Sequence, residues 1–253
     1  MLEGRALTIG YRDRVVGRAL DVAVREGEAL ALLGPNGGGK TTLLKTLLGL
    51  LAPLSGEVRL DNRSIHAVGV RERARRMAYV PQSHAGTFAF TVSEIVLMGR
   101  AAHRGLFSAP GHEDQASVAA ALARLNISHL AERPYTMISG GERQLALIAR
   151  ALAQAPRIVV LDEPTASLDF GNQGKIMKEI RALAHAGLGV VFTTHDPNQA
   201  YRYADRVFLI RDGRCFAEGP VNEVLTRERL AALYQTDIDD IVGPDSGRAF
   251  LPG

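Results

Sequence analysis

Ala29-Leu30-Ala31-Leu32-Leu33-Gly34-Pro35-Asn36-Gly37-Gly38-Gly39-Lys40-Thr41-Thr42 is the stretch from which the rest of the chain is read. Five apolar residues predict a buried strand over Ala29 to Leu33. A glycine-rich run follows that fits G-x-x-x-x-G-K-S/T from Gly34 to Thr41. Beyond it, Leu44, Leu47, Leu48 and Leu51 recur at helical spacing within a helix expected over Thr41 to Leu50. In that context the glycines let successive amides curl around phosphate oxygens, and the helix aims its positive end at them. Lys40 then reaches the terminal phosphates, and the Thr41 hydroxyl, with Thr42 beside it, faces an accompanying Mg²⁺. The plainer reading is a glycine turn closing a buried strand. The alignment of strand, motif and helix favours phosphate.

A second strand carries complementary chemistry. Ile158-Val159-Val160-Leu161 is apolar without alternation, as a strand covered on both faces should be, and it ends in Asp162-Glu163. Parallel strands present ligands beyond their carboxyl ends. Asp162 suits the Mg²⁺ shell, and Glu163 suits a group that orients and polarises a water attacking a γ-phosphate. Alternation along an extended strand predicts that the two side chains diverge.

Around these runs the chain alternates between strand and helix patterns, an α/β signature. Strands are expected at Ala6 to Tyr11, Arg76 to Val80, Gly189 to Thr194 and Arg206 to Ile210. Helices are expected at about Asp114 to Leu125, Glu142 to Gln154 and about Gln173 to His185. Strand signals fade between Gln82 and Gln154, which predicts an inserted helical subdomain. Asp212-Gly213 marks a hairpin before Cys215 to Ala217. The end, from about Val242 to Gly253, reads as a loose tail. The organisation expected is one domain over 1–253, with a core at about 1–82 and 155–240 and a helical subdomain at about 83–154.

Composition excludes several classes. At 253 residues, 46% hydrophobic, 23% charged and net charge +3, the chain is an ordinary globular protein. Arg71, Arg73, Arg75 and Arg76 read as a solvated helical face, so no nucleic-acid partner is expected. The single cysteine, Cys215, excludes an intrachain disulfide. Neither a signal peptide nor the roughly 18 consecutive apolar residues of a membrane span is present.

Ser139-Gly140-Gly141-Glu142-Arg143-Gln144 opens another helix. Ser139 and Glu142 have capping-box spacing, but a cap does not require two glycines; bare amides there make a second anion site. Ile138 to Gln144 resembles the signature motif of ABC ATPases, and with the phosphate loop and Asp162-Glu163 the resemblance covers nearly the whole chain. It implies an α/β P-loop NTPase core of ABC ATPase type, with an N-terminal antiparallel β region and the inserted helical subdomain. It also implies ATP and Mg²⁺ as ligands. Tyr11 sits where the family stacks an aromatic on adenine. Gln82, after Tyr79-Val80-Pro81, matches the glutamine that contacts Mg²⁺ and water. Ser167-Leu168-Asp169 resembles the loop that touches the partner subunit, and His195 resembles the switch histidine at the γ-phosphate. Tyr11 also reads simply as a strand-end aromatic, and His195 as a strand end before a helix capped by Asp196 and Pro197.

In this family the signature segment of one subunit completes the ATP site of another. Ser139, Gly140, Gly141 and Glu142 then imply a homodimer sharing two ATP sites. Gly38, Thr41, Ile138 and Glu142 depart from the commonest pattern without removing a chemical role; Gly38 adds backbone freedom worth up to about 1 kcal/mol.

Thr91 to Glu94 and Val96 to His103 resemble ATPases of metal-chelate importers, for ferric siderophores, haem or cobalamin. The second segment is similar to a molybdate or tungstate subset, though Ala102 departs from its frequent proline. That implies two transmembrane permease subunits, an external substrate-binding protein, and a place on the cytoplasmic face of the membrane. Phe88, Phe90, Leu106 and Phe107 would together furnish a docking groove for the permease, while any single one of the phenylalanines reads first as packing of the subdomain core. The alternative is a soluble ABC ATPase in assembly or nucleic-acid maintenance, which the lack of a coiled-coil insertion and of tandem nucleotide domains disfavours.

Overall fold

The computed structural model describes residues 1–82, 90–105, 108–243 and 248–253. In chain order its elements begin with β1 (Leu2–Tyr11), β2 (Arg14–Val24), β3 (Ala29–Leu33), α1 (Lys40–Leu47), β4 (Ser55–Leu60) and β5 (Arg63–Ser64). Next come α2 (Val70–Arg76), β6 (Met77–Val80), α3 (Val92–Leu97), α4 (His112–Arg124), α5 (Gly140–Ala153), β7 (Ile158–Leu161) and α6 (Phe170–His185). The chain closes with β8 (Gly189–Thr194), α7 (Pro197–Tyr203), β9 (Arg206–Arg211), β10 (Arg214–Pro220), α8 (Val221–Val224), α9 (Arg227–Tyr234), β11 (Ile238–Val242) and β12 (Arg248–Pro252). These fall into two compact units, Met1–Ala67 with Ile180–Gly253, and Val68–Glu179.

The first unit holds two sheets. β1 pairs antiparallel with both β2 and β4, which forms the expected N-terminal β region. In the other sheet β3 lies between β8 and β9, parallel to both, and β10 turns back against β9 at the predicted Asp212-Gly213 hairpin. Every residue of β3 and β8 is buried, so neither strand has a solvent face and their apolar runs need no alternation. Helix α1 stops at Leu47, three residues earlier than expected. Gly49, at φ 67°, adopts the left-handed conformation just past the helix end. Its amide bonds the Thr46 carbonyl and that of Leu50 bonds Lys45, both at 2.9 Å, which closes a Schellman motif.

The C-terminal segment departs from the loose tail expected of it. β11 and β12 pair antiparallel in register from Ile238↔Pro252 to Val242↔Arg248. The reason is tertiary. Phe250 is buried against α7, where its ring meets Tyr201 edge-on at 5.8 Å, and Arg248 donates to both Asp240 carboxylate oxygens.

The second unit is mostly helical around the parallel pair β6–β7. Its limits differ from the expected subdomain because both strands belong to it, with α5 packed on β6. Helix α2 carries the arginine run and buries no residue, as a solvated face should. Of the proposed docking residues, Phe88, Leu106 and Phe107 lie outside the described residues, and Phe90 is 38% exposed.

A buried ion pair ties this unit together. Arg100 Nε donates to Asp114 at 2.9 Å, and its Nη1 donates to the Ala153 carbonyl at the end of α5. The Asp114 carboxyl is held below the usual range, first by Arg100 and then by the Gly111 amide. A depressed carboxyl contributes stability above its unfolded pKa and loses it as pH falls through the folded value. Arg100→Ala should therefore lower the urea midpoint markedly at neutral pH. The gap to wild type should narrow from about pH 5 toward pH 3, measured by urea titration across that range.

Candidate functional site

In the first unit β3 delivers the glycine loop. Gly34 packs so tightly on β9 that a Cβ there would lie 2.1 Å from the Ile210 carbonyl oxygen. Gly39 stands at the helix N-cap with φ 99° and ψ 5°, a conformation that L-residues with side chains strongly resist. The Gly38 amide bonds the Pro35 carbonyl at 3.2 Å, and its φ lies outside the left-handed region. Lys40 is buried, its ammonium donating to the carbonyls of Gly34 at 2.6 Å and Pro35 at 3.0 Å, so the cation folds over the loop. Thr42 is buried on α1, while Asn36 and Gly37 are exposed at the tip of the loop.

β8 brings the second group to the same edge. Leu33 and Thr194 are register partners, so Gly34 and His195 follow directly from neighbouring strand ends. The His195 side chain is exposed. Asp196 accepts from the Asn198 amide at 2.8 Å and Pro197 opens α7, so the capping reading holds alongside any role for the histidine. Tyr11 is 50% exposed at the end of β1, beside a cavity of about 720 Å³ lined by Arg12, Arg14, Leu51 and Leu54.

The second unit gathers the remaining candidates at two places. Val80 and Leu161 are register partners, which sets Gln82 and the acid pair at adjacent strand ends. Gln82 Nε2 donates to Glu163 Oε2 at 3.0 Å. Asp162 is 2% exposed and accepts from the Tyr79 hydroxyl at 3.4 Å. Burial, then the Asp162 charge, pushes the Tyr79 phenol up to about 12. A carboxylate buried this deeply and bonded to a neutral phenol fits a hard divalent cation such as Mg²⁺, which takes oxygen donors. Glu163 has φ 45°, beyond the end of β7. Strand alternation therefore does not separate the two acids, as the sequence suggested. Glu163 instead stands in left-handed backbone, at a cost of order 1–3 kcal/mol, and the two acids bond different partners, Tyr79 and Gln82.

At the start of α5 the capping box is complete. The Glu142 amide donates to Ser139 Oγ at 3.3 Å, and the Ser139 amide donates to Glu142 Oε2 at 2.8 Å. The Ser139 amide first, and then its side chain, hold the Glu142 carboxyl below its usual range. The second glycine has a packing reason as well, since a Cβ on Gly141 would meet the Asn172 side chain at 2.8 Å. Asn172 is in turn bonded through its amide and side chain to Asp169, at 2.8 and 2.7 Å, at the start of α6. Ser167, two residues before Asp169, is exposed at φ 66°. Sequence reasoning missed Asn172 and Tyr79 as supports, although Tyr79 lies in the quoted run before Gln82.

A glycine phosphate loop on a buried parallel strand, with an acid pair and a glycine-rich helix start, defines a P-loop ATPase of the ATP-binding-cassette class. The chain belongs to the ABC transporter family, whose sequence profile matches residues 18–166. A Haemophilus influenzae ABC transporter ATP-binding protein of uncharacterised role is 40% identical, over 93% of this chain and 90% of its own. The hemin import ATP-binding protein of Streptomyces coelicolor is 42% identical (94% and 86%), and the ferric enterobactin transport ATP-binding protein of Escherichia coli is 38% identical (92% and 86%). Among solved structures, an inward-facing ABC transporter described as metal-chelate type superimposes with a TM-score of 0.88 at 35% identity, covering 100% of this chain and 96% of its own. A dimeric ATP-binding cassette bound to ADP and phosphate gives 0.76 at 27% identity, covering 87% and 99%. The protein is thus an ATP-binding subunit that couples ATP hydrolysis to transport.

Gly34→Ala should cost about 1–3 kcal/mol by overpacking against backbone. A Cβ at Gly140 would lie at an ordinary 3.6 Å from Leu168. Gly140→Ala should therefore stay within about 0.5 kcal/mol of wild type, with both variants read by chemical denaturation.

Proposed function

We propose that the chain energises an importer for a metal chelate, of the class of haem, ferric siderophores or cobalamin. The observation that carries this is similarity, over more than 90% of the chain, to ATP-binding proteins named for hemin and ferric enterobactin, together with the fold match to a metal-chelate type transporter. Among the described residues no helix is long and apolar enough to cross a membrane. In this reading the chain is a peripheral subunit, docked on two permease subunits at the cytoplasmic face, with an external binding protein supplying cargo.

Each candidate residue has a task in this reading. Tyr11 stacks on adenine. The amides of Gly34 to Gly39 and the Lys40 ammonium take the phosphates, with Thr42 alongside. Thr41, Gln82 and Asp162 hold Mg²⁺, which neutralises phosphate charge when bound. Glu163 orients and polarises the attacking water, Gln82 holds the carboxylate that does so, and His195 contacts the γ-phosphate. Ser139 to Glu142 close over the nucleotide of a second copy, and Ser167 and Asp169 contact that copy. Helix-start amides and the lack of a side chain at exposed Gly140 suit an anion approaching from outside the subunit.

Glu163→Gln should keep ATP affinity and lower steady-state hydrolysis by about 10²–10⁴-fold, the range for a lost general base; unchanged turnover would refute the role. For cargo, the complex copurified with its membrane subunits should hydrolyse ATP faster when its binding protein carries a metal chelate. Stimulation by DNA, with no membrane partner recovered, would replace the importer with a soluble machine.

A further inference from the structure

The segment after β10 contains none of the candidate site residues, yet it bonds directly to the backbone of one of them. Tyr234, the last residue of α9, donates its hydroxyl to the His195 carbonyl at 2.8 Å. His195 lies in the short link between β8 and α7, outside any ladder or helix. The rest of that link is also held. The Asp196 amide bonds the Thr194 hydroxyl at 3.0 Å, and Asp196 caps α7. One turn on, Asn198 grips β12 through a reciprocal pair: its Nδ2 donates to the Phe250 carbonyl at 2.9 Å, and its Oδ1 accepts the Phe250 amide at 2.8 Å.

Tyr234 is itself well anchored. Arg211, at the end of β9, donates to the Ala232 carbonyl, and Gln235 at φ 57° turns the chain from α9 toward β11. The phenol is pushed well above its ordinary pKa by burial and by the Asp196 charge, so it remains a donor across the working range. An exposed imidazole on a link with no ladder of its own takes its position from whatever holds that backbone. Here the holders include α9, through Tyr234, and the β11–β12 pair, through Asn198 at the start of α7.

We infer that Tyr234 is a positioning residue for His195, and that α9 with the C-terminal strand pair sets the histidine's place for hydrolysis. The inference rests on the role proposed for His195. It is tested on the purified full-length chain by comparing wild type, Tyr234→Phe, His195→Ala and the double variant. The readouts are kcat and KM for ATP hydrolysis, with long time courses for residual activity, and the thermal midpoint. Tyr234→Phe keeps the ring and loses only the hydroxyl.

Its kcat should fall about three- to tenfold, as loss of one hydrogen bond implies, with KM unchanged. In the His195→Ala background the same substitution should have no further effect. Wild-type kcat in Tyr234→Phe, a matching rise in KM, or an undiminished fall in the double variant would each overturn the inference. Full turnover in His195→Ala would instead remove the role proposed for the histidine. An inactive His195→Ala beside a fully active Tyr234→Phe would remove only the positioning role.

Discussion

Parallel pairing between strands buried on both faces is the constraint on which the rest depends. A strand with no solvent face cannot slip, because every residue has a packed neighbour. The register Leu33↔Thr194 therefore places the glycine loop and His195 side by side. The register Val80↔Leu161 does the same for Gln82 and the acid pair in the other unit. In each case residues distant in the chain become neighbours because their strands end together.

At those ends the backbone leaves regular structure, and several of the candidate residues stand there. Gly39, Glu163 and Ser167 all have positive φ. Such conformations persist only where surrounding packing over-determines them. The Asp162 amide bonded to the Val80 carbonyl at 2.9 Å is one such restraint, and the Gln82–Glu163 bond is another. Structural and functional readings do not compete at these positions. Ser139 caps α5 while standing in the signature segment, and Asp169 bonds the first turn of α6 while standing in the loop expected to meet a second subunit.

Much of the candidate site was legible because its signals are local. The phosphate loop, the acid pair and the signature helix start are contiguous runs whose glycines and carboxylates declare their chemistry. β3 and β8 were also legible to the residue, since each is a short β-rich run bounded by polar or glycine residues and buried along its whole length. Less legible were elements whose stability comes from elsewhere. β11 and β12 are short and mostly exposed, and they form because Phe250 packs on α7 and Arg248 pairs with Asp240. The early end of α1 was missed because a single Gly49 was read as part of a helix.

By itself, then, the sequence determined the class of protein, the phosphate and catalytic candidates, and the strands that carry them. The strands, phosphate loop and acid pair are encoded in short runs with their own periodicity or glycine pattern, and the class came from the resemblance that those runs and the signature segment carry. Tertiary structure alone decided that Glu163 leaves its strand through a left-handed turn. It also decided that Asn172 crowds Gly141, that Arg100 and Asp114 pair in the interior, and that Tyr234 holds the His195 backbone. These are contacts between residues far apart in the chain, and no local pattern specifies which distant side chain will be packed against a given backbone atom.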